Sequence, residues 1–173
     1  MLVNLKYEIE KYNRIRLKFS TEALYYAQLA DELENFLADM KDREKILGIG
    51  VAIPGIINKE ERLLMKSHAL QVENYSLSFF EQVFSLPVYF ENDANAAMMA
   101  EDVNQYKNAL YLSLNNTLGG AFCIDGNLIQ GENQKAGEFG HMFLVPGGKQ
   151  CYCGKKGCAD AYCAASVLSD ETR

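Results

Sequence analysis

Apolar positions change their spacing several times along the chain, and each change predicts an element. Leu2–Ile9 and Ile15–Phe19 alternate or cluster apolar residues around Glu10-Lys11-Tyr12-Asn13, the pattern of a β-hairpin. Leu24, Ala27, Ala30, Leu33 and Leu37 recur at helical spacing, predicting a helix from a cap at Ser20 or Thr21 to about Met40. Ile46–Ile53 is a continuous apolar run ending at Pro54-Gly55, as in a buried central strand followed by a sharp turn. Ile56 to about Leu70 reads as a second hairpin, Ser76–Phe84 as a short helix, and Pro87–Phe90 as a short strand. That strand feeds Asn92-Asp93-Ala94-Asn95-Ala96-Ala97 and a helix to about Gln105. Ala109–Leu114 and Gly120–Ile124 are expected as strands flanking a turn, and a last helix runs from about Asp160 to Leu168. Strands that lead into helices and return as strands give the class α/β. Tyr25-Tyr26 and Met98-Met99 read as helix packing.

Composition narrows the picture. At 173 residues, with 49% apolar and 23% charged, the chain suits one globular domain or a little more with a real core. The net charge of −6 argues against nucleic-acid binding by this stretch itself, because neutralising phosphates needs a basic face. Lys11, Arg14, Arg16 and Lys18 alternate with apolar residues and read as a solvated strand face. No apolar run is long enough to span a membrane, and the start lacks the pattern of a signal peptide.

One cluster stands out: His141, Cys151, Cys153 and Cys158, spaced His-x9-Cys-x-Cys-x4-Cys. One imidazole and three thiols suit a closed tetrahedral Zn²⁺ site, and the intervening glycines let the chain wrap an ion. The competing reading is disulfides or free thiols, but a Cys-x-Cys pair is too close for an easy bridge. With the thiols held by metal, a reducing cytoplasm is the expected compartment. Cys123 and Cys163 read as core thiols, and Cys163 lies near enough for ligand exchange to stay open. His68 has no partner cluster in sequence.

Three segments carry candidate chemistry. Asp93, at a strand-to-helix junction, is placed either to accept a hydroxyl proton as a general base or, like Asn92, to cap the helix. Asn92 and Asn95 offer donors and acceptors suited to a polyol. Glu138 is either a surface carboxylate or one held rigidly by the metal-bound His141 three residues later. Zinc there acts as a staple and leaves the second imidazole nitrogen free to bond outward. Leu114–Gly120 is a weak candidate for a phosphate-binding hairpin and reads better as an ordinary turn.

With those residues in order, the chain resembles the ROK family of bacterial sugar kinases and sugar-responsive repressors. The resemblance rests on Gly48–Gly55, on Glu91–Ala97, and above all on Gly137-Glu138-Phe139-Gly140-His141 continuing through Cys158. It implies an actin-like, ribonuclease-H-like lobe with a mixed central sheet, over residues 1–136, and a zinc-binding loop segment with the start of a helix over 137–173. It implies that Asp93 is the base of a kinase and that Gly55, Asn92, Asp93, Glu138 and His141 contact the sugar. It also implies a sugar contact at Asp160, which falls where the family has Glu and is one methylene shorter.

The same resemblance exposes departures. The expected Asp-x-Gly-x-Thr phosphate loop, the C-terminal lobe and a DNA-binding segment are not in this sequence. Asn115, Thr117 and Ala121 stand where the phosphate hairpin carries glycine, and their side chains are expected to obstruct phosphate. The implied reading is the sugar-sensing domain of a xylose-repressor-type regulator. It takes a monosaccharide effector, contacts DNA only through a segment outside this chain, and forms a homo-oligomer in its parent. The alternative is part of a sugar kinase using ATP and Mg²⁺.

Overall fold

In the computed structural model, which describes residues 1–101 and 106–171, the chain divides into two units. One holds Met1–Ile49 and Phe79–Val88, the other Gly50–Ser78 and the chain from Tyr89 onward. In the first, β1 (Leu2–Val3) pairs antiparallel with β2 (Ile9–Lys11). Asn4 Oδ1 accepts from the Lys6 and Glu8 amides at 2.9 and 3.1 Å, and Tyr7 sits at φ 65°. This local turn reverses the chain earlier than the apolar pattern suggests. The second arm is therefore Ile9–Lys11, and Ile15–Phe19 forms no strand.

Helix α1 (Ala23–Leu37) begins after Glu22 with no side-chain cap. Ser20 lies too early to cap it: its hydroxyl accepts from the Glu22 amide and shapes the approach instead. Tyr26 points inward from α1 and packs on Phe79 and Phe80 of α2 (Ser78–Val83), at ring-centroid distances of 5.8 and 5.3 Å. A 3₁₀ turn at Arg43–Lys45 precedes the run at Ile46, which enters a strand only at Ile49.

β3 (Ile49–Ile53), which belongs to the second unit from Gly50 onward, has alternating burial, with Gly50 and Ala52 exposed. The expected buried central strand is thus half-exposed, because among the described residues it has one partner strand. Strands β4 (Ile56–Asn58), β5 (Leu63–Ser67) and β6 (Val72–Ser76) form an antiparallel meander. The hairpin expected over Ile56–Leu70 thus gains a third strand, because Gln71 at φ 56° turns the chain back. β7 (Val88–Asn92) pairs with β3 and runs straight into α3 (Asp93–Ala100). That helix closes at Ala100, short of the expected end at Gln105, which lies outside the described residues.

The last sheet has the order β10-β9-β8, from β8 (Ala109–Leu114), β9 (Leu118–Ile124) and β10 (Asn127–Leu128). Met98 of α3 packs with Ala121 and Cys123 of β9 in a small core, whereas its neighbour Met99 is exposed. Cys123 is the core thiol expected of it. Two short helices, α4 (Asp160–Cys163) and α5 (Ala165–Glu171), replace the single helix expected from Asp160, because Ala164 takes an extended backbone between them. Among the described residues, no helix is long and apolar enough to cross a membrane.

Candidate functional site

The loop from His141 to Cys158 folds its four candidate ligands onto one point. Their ligand atoms all lie within 4.8 Å of one another. Cys151 Sγ is 3.8 Å from His141 Nδ1, and Cys153 Sγ is 3.7 Å from Cys158 Sγ. Thiolates bound at ~2.3 Å to a tetrahedral ion stand about 3.8 Å apart, so the spacing fits a shared metal. It does not fit a disulfide, and all these cysteines are free. Cys163 is outside the cluster.

Thiol chemistry points the same way. Burial pushes Cys151 up to about 12 and also raises Cys158, so these sulfurs are poor anions without a cation. A bound metal ion reverses that by deprotonating each thiol. Burial, followed by the neighbouring His68, holds His141 below the ordinary imidazole value and keeps it neutral, as a ligand must be. With Nδ1 turned to the thiols, Nε2 faces Glu138 Oε2 at 3.9 Å.

That Nε2 looks into a cleft built from the carboxyl ends of strands. Asn92 is the N-cap of α3: its Oδ1 accepts from the Ala94 and Asn95 amides, each at 3.0 Å. Its Nδ2 donates to the Gly55 carbonyl at 3.0 Å, tying the helix start to the turn after β3. Asp93 occupies the first turn, where helix N-termini favour an anion, and its Oδ1 accepts from the Ala94 amide. Glu138 stands across the cleft, its carboxyl raised above the usual range by burial and then by the charge of Asp93.

Glycines allow this close assembly. Gly55 sits at φ 137°, where a Cβ would lie 2.5 Å from the Lys66 carbonyl. A Cβ on Gly137 would lie 2.5 Å from the Gly120 carbonyl, and one on Gly140 2.2 Å from the Leu118 carbonyl. The turn carrying Glu138 and His141 therefore packs backbone against backbone on β9.

The structure brings Gly55, Asn92, Asp93, Glu138 and His141 to one cleft. It does not bring Asp160 there: that side chain is buried outside the lining and accepts from the Leu118 amide. Asn95 is also buried, and its amide donates to Glu91 rather than facing the cleft. The expectation for His68 is corrected, since it lines the cleft and meets the rings of His141 and Tyr152 edge to face. Nothing in its local sequence signals this, because its partners lie far along the chain. Asn115 and Thr117 line the cleft, but Ala121 lies in the core with Met98 and Cys123 and obstructs nothing.

Comparisons with known proteins converge on one family. The ROK family model matches residues 1–173. The xylose repressor of Bacillus spizizenii is 30% identical over 145 residues, covering 81% of this chain and 38% of that protein. The glucokinase of Halalkalibacterium halodurans is 32% identical over 154 residues, covering 85% of this chain and 47% of that protein. A ROK family glucokinase from Streptomyces griseus, in complex with glucose and AMPPNP, superposes with a TM-score of 0.70 at 27% identity, over 83% of this chain and 48% of that one. The chain thus spans less than half the length of these relatives, which divide between repressors and kinases. With a matching family model, an α/β fold similar to that of a solved relative and the His/Cys cluster in its loop, the chain belongs to the ROK family.

Proposed function

We propose that this chain is the sugar-binding effector domain of a ROK transcriptional repressor of the xylose-repressor type, holding a monosaccharide between Asp93 and the Glu138–His141 turn. The observation that carries it is the convergence of Asp93, Glu138 and His141 on one cleft, from three separate segments. Two carboxylates and the second nitrogen of His141 offer a polyol both acceptors and a donor. Gly55 shapes the loop beneath, and Asn92 fixes the helix that presents Asp93. Lys and Arg are absent from the described lining, which favours an uncharged sugar over an anionic one.

Zn²⁺ is the ion we assign to His141, Cys151, Cys153 and Cys158. Bound there, it would supply a structural cross-link that holds the Glu138–Cys158 segment against the cleft, without touching the sugar. In the parent protein, DNA contact falls to a segment outside this chain and a homo-oligomer carries the response, in the cytoplasm. Sugar changes operator affinity only by binding one arrangement of that assembly better than the other.

The sensor reading is favoured over a kinase because Asn115 and Thr117, not glycines, line the cleft on the hairpin that would approach phosphate. The kinase alternative, with Asp93 as general base and ATP–Mg²⁺ as donor, keeps Gly119 and Gly120 at the cleft and loses nothing at Ala121. Calorimetric titration with xylose and with glucose tests the binding claim, and Asp93→Asn is expected to weaken whichever sugar binds. No binding of either sugar, or binding untouched by Asp93→Asn, overturns the assignment. Robust ATP-dependent sugar phosphorylation by the parent protein would select the kinase.

A further inference from the structure

The tip joining β8 to β9 is held from outside the cleft by the segment that follows the last cluster thiol. The Leu118 amide donates to Asp160 Oδ1, the Ala165 amide donates to the Asn115 carbonyl at 2.8 Å, and the Ser166 hydroxyl donates to the Asn116 carbonyl at 2.9 Å. The extended backbone of Ala164 (φ −65°, ψ 144°) makes this reach feasible, since it ends α4 and frees the Ala165 amide from the helix. On the opposite side of the same tip, Asn115, Thr117, Leu118 and Gly119 line the cleft.

Asp160 is central to this clamp. It is only 4% exposed, so its carboxylate needs a partner from the protein, and the Leu118 amide is that partner. The same oxygen lies 3.4 Å from where a Cβ on Gly140 would stand, against the turn that carries His141.

We infer that Asp160 is a positioning residue, which fixes the cleft-lining hairpin tip to the metal-bearing segment through the Leu118 amide and does not itself contact the ligand. The consequence for binding rests on the sugar reading above. Because Asp160 follows Cys158 closely, the clamp also carries loss of the metal to the cleft wall.

The test compares wild type, Asp160→Ala and Asp160→Asn in the metal-loaded chain. Amide exchange at Leu118 is read without sugar, and calorimetry then gives xylose and glucose affinities. Asp160→Ala is expected to speed Leu118 exchange by roughly tenfold or more. Asp160→Asn, which keeps an acceptor oxygen, should restore most of the protection, and sugar affinity should fall and recover in the same order. Equal Leu118 exchange in wild type and Asp160→Ala overturns the clamp. Sugar affinity lost equally in both variants, with exchange restored in Asp160→Asn, shows direct contact and also overturns it. Where Asp160→Ala fails to fold, Leu118→Pro removes the same donor and leaves the carboxylate in place. The same loss of sugar affinity is expected, and unchanged affinity counts against the proposal. Absence of any sugar binding would remove the functional reading, while the exchange comparison would still decide the clamp.

Discussion

His68 meets His141 edge to face, with ring centroids 5.6 Å apart, although the two lie on separate segments of the chain. Tyr152 completes the group, at 5.6 Å from His68 and 5.4 Å from His141. His68 follows directly on β5, and Tyr152 sits between two cluster thiols, so a strand end and the cysteine-bearing loop share a cleft wall. An aromatic contact of this kind contributes about 1 kcal/mol. His68→Ala should therefore cost about 1 kcal/mol of stability and, by loosening the cleft wall, weaken sugar binding while leaving metal content unchanged. Calorimetry and elemental analysis check it, and unchanged affinity would reduce His68 to a spacer.

What the sequence reveals, and what it hides, follows from the range of the forces involved. The His/Cys cluster is legible because three thiols within eight residues have few other uses. Asp93 is legible as a strand-to-helix junction, although the sequence leaves its role open, and in the fold Asn92 does the capping. His68 is illegible because its significance comes from residues that only tertiary packing brings near. The same is true of Asp160, whose partner is a backbone amide and therefore leaves no side-chain signature. Ala121 illustrates a subtler failure. The family's glycine at this position implies an obstruction by alanine, but side chains alternate along a strand and this one falls on the core face.

Metal content is the next prediction. Freshly purified, reduced protein should carry one equivalent of zinc, and Cys158→Ser should carry far less, since it removes one of the four ligands. At free zinc a thousandfold above its Kd, the bound ion stabilises the fold by roughly 4 kcal/mol. Chelation should therefore lower the thermal midpoint clearly in wild type and hardly at all in Cys158→Ser. Protein without stoichiometric metal and insensitive to chelator would refute the assignment.

Acidification probes the first unit separately. The Lys11 ammonium donates to Asp39 and holds its carboxyl below the ordinary value of 3.8. A carboxylate depressed in the folded state adds stability above its unfolded pKa and loses it as pH falls through the lowered folded value. Asp39 is fully exposed, so water and salt keep the effect small. Urea midpoints should drop slightly more between pH 5 and pH 2 for wild type than for Asp39→Asn. Identical drops would show that the pair contributes nothing.

Two glycines with opposite surroundings test the backbone packing behind the cleft. Gly50, on β3, has open space where a Cβ would stand and no left-handed backbone to preserve. Gly50→Ala should be neutral or slightly stabilising, because alanine restricts the unfolded chain without a folded-state clash. A Cβ on Gly140 would stand 2.2 Å from the Leu118 carbonyl, and that carbonyl belongs to a paired strand that cannot step aside cheaply. Gly140→Ala should therefore cost about 1–3 kcal/mol. The same displacement must also push the Glu138–His141 turn away from β9, so sugar affinity and metal retention should fall together with stability. A Gly140→Ala protein that lost stability but kept both would mean that the turn relaxes independently of β9, and the rigid wall opposite Asp93 would have to be abandoned.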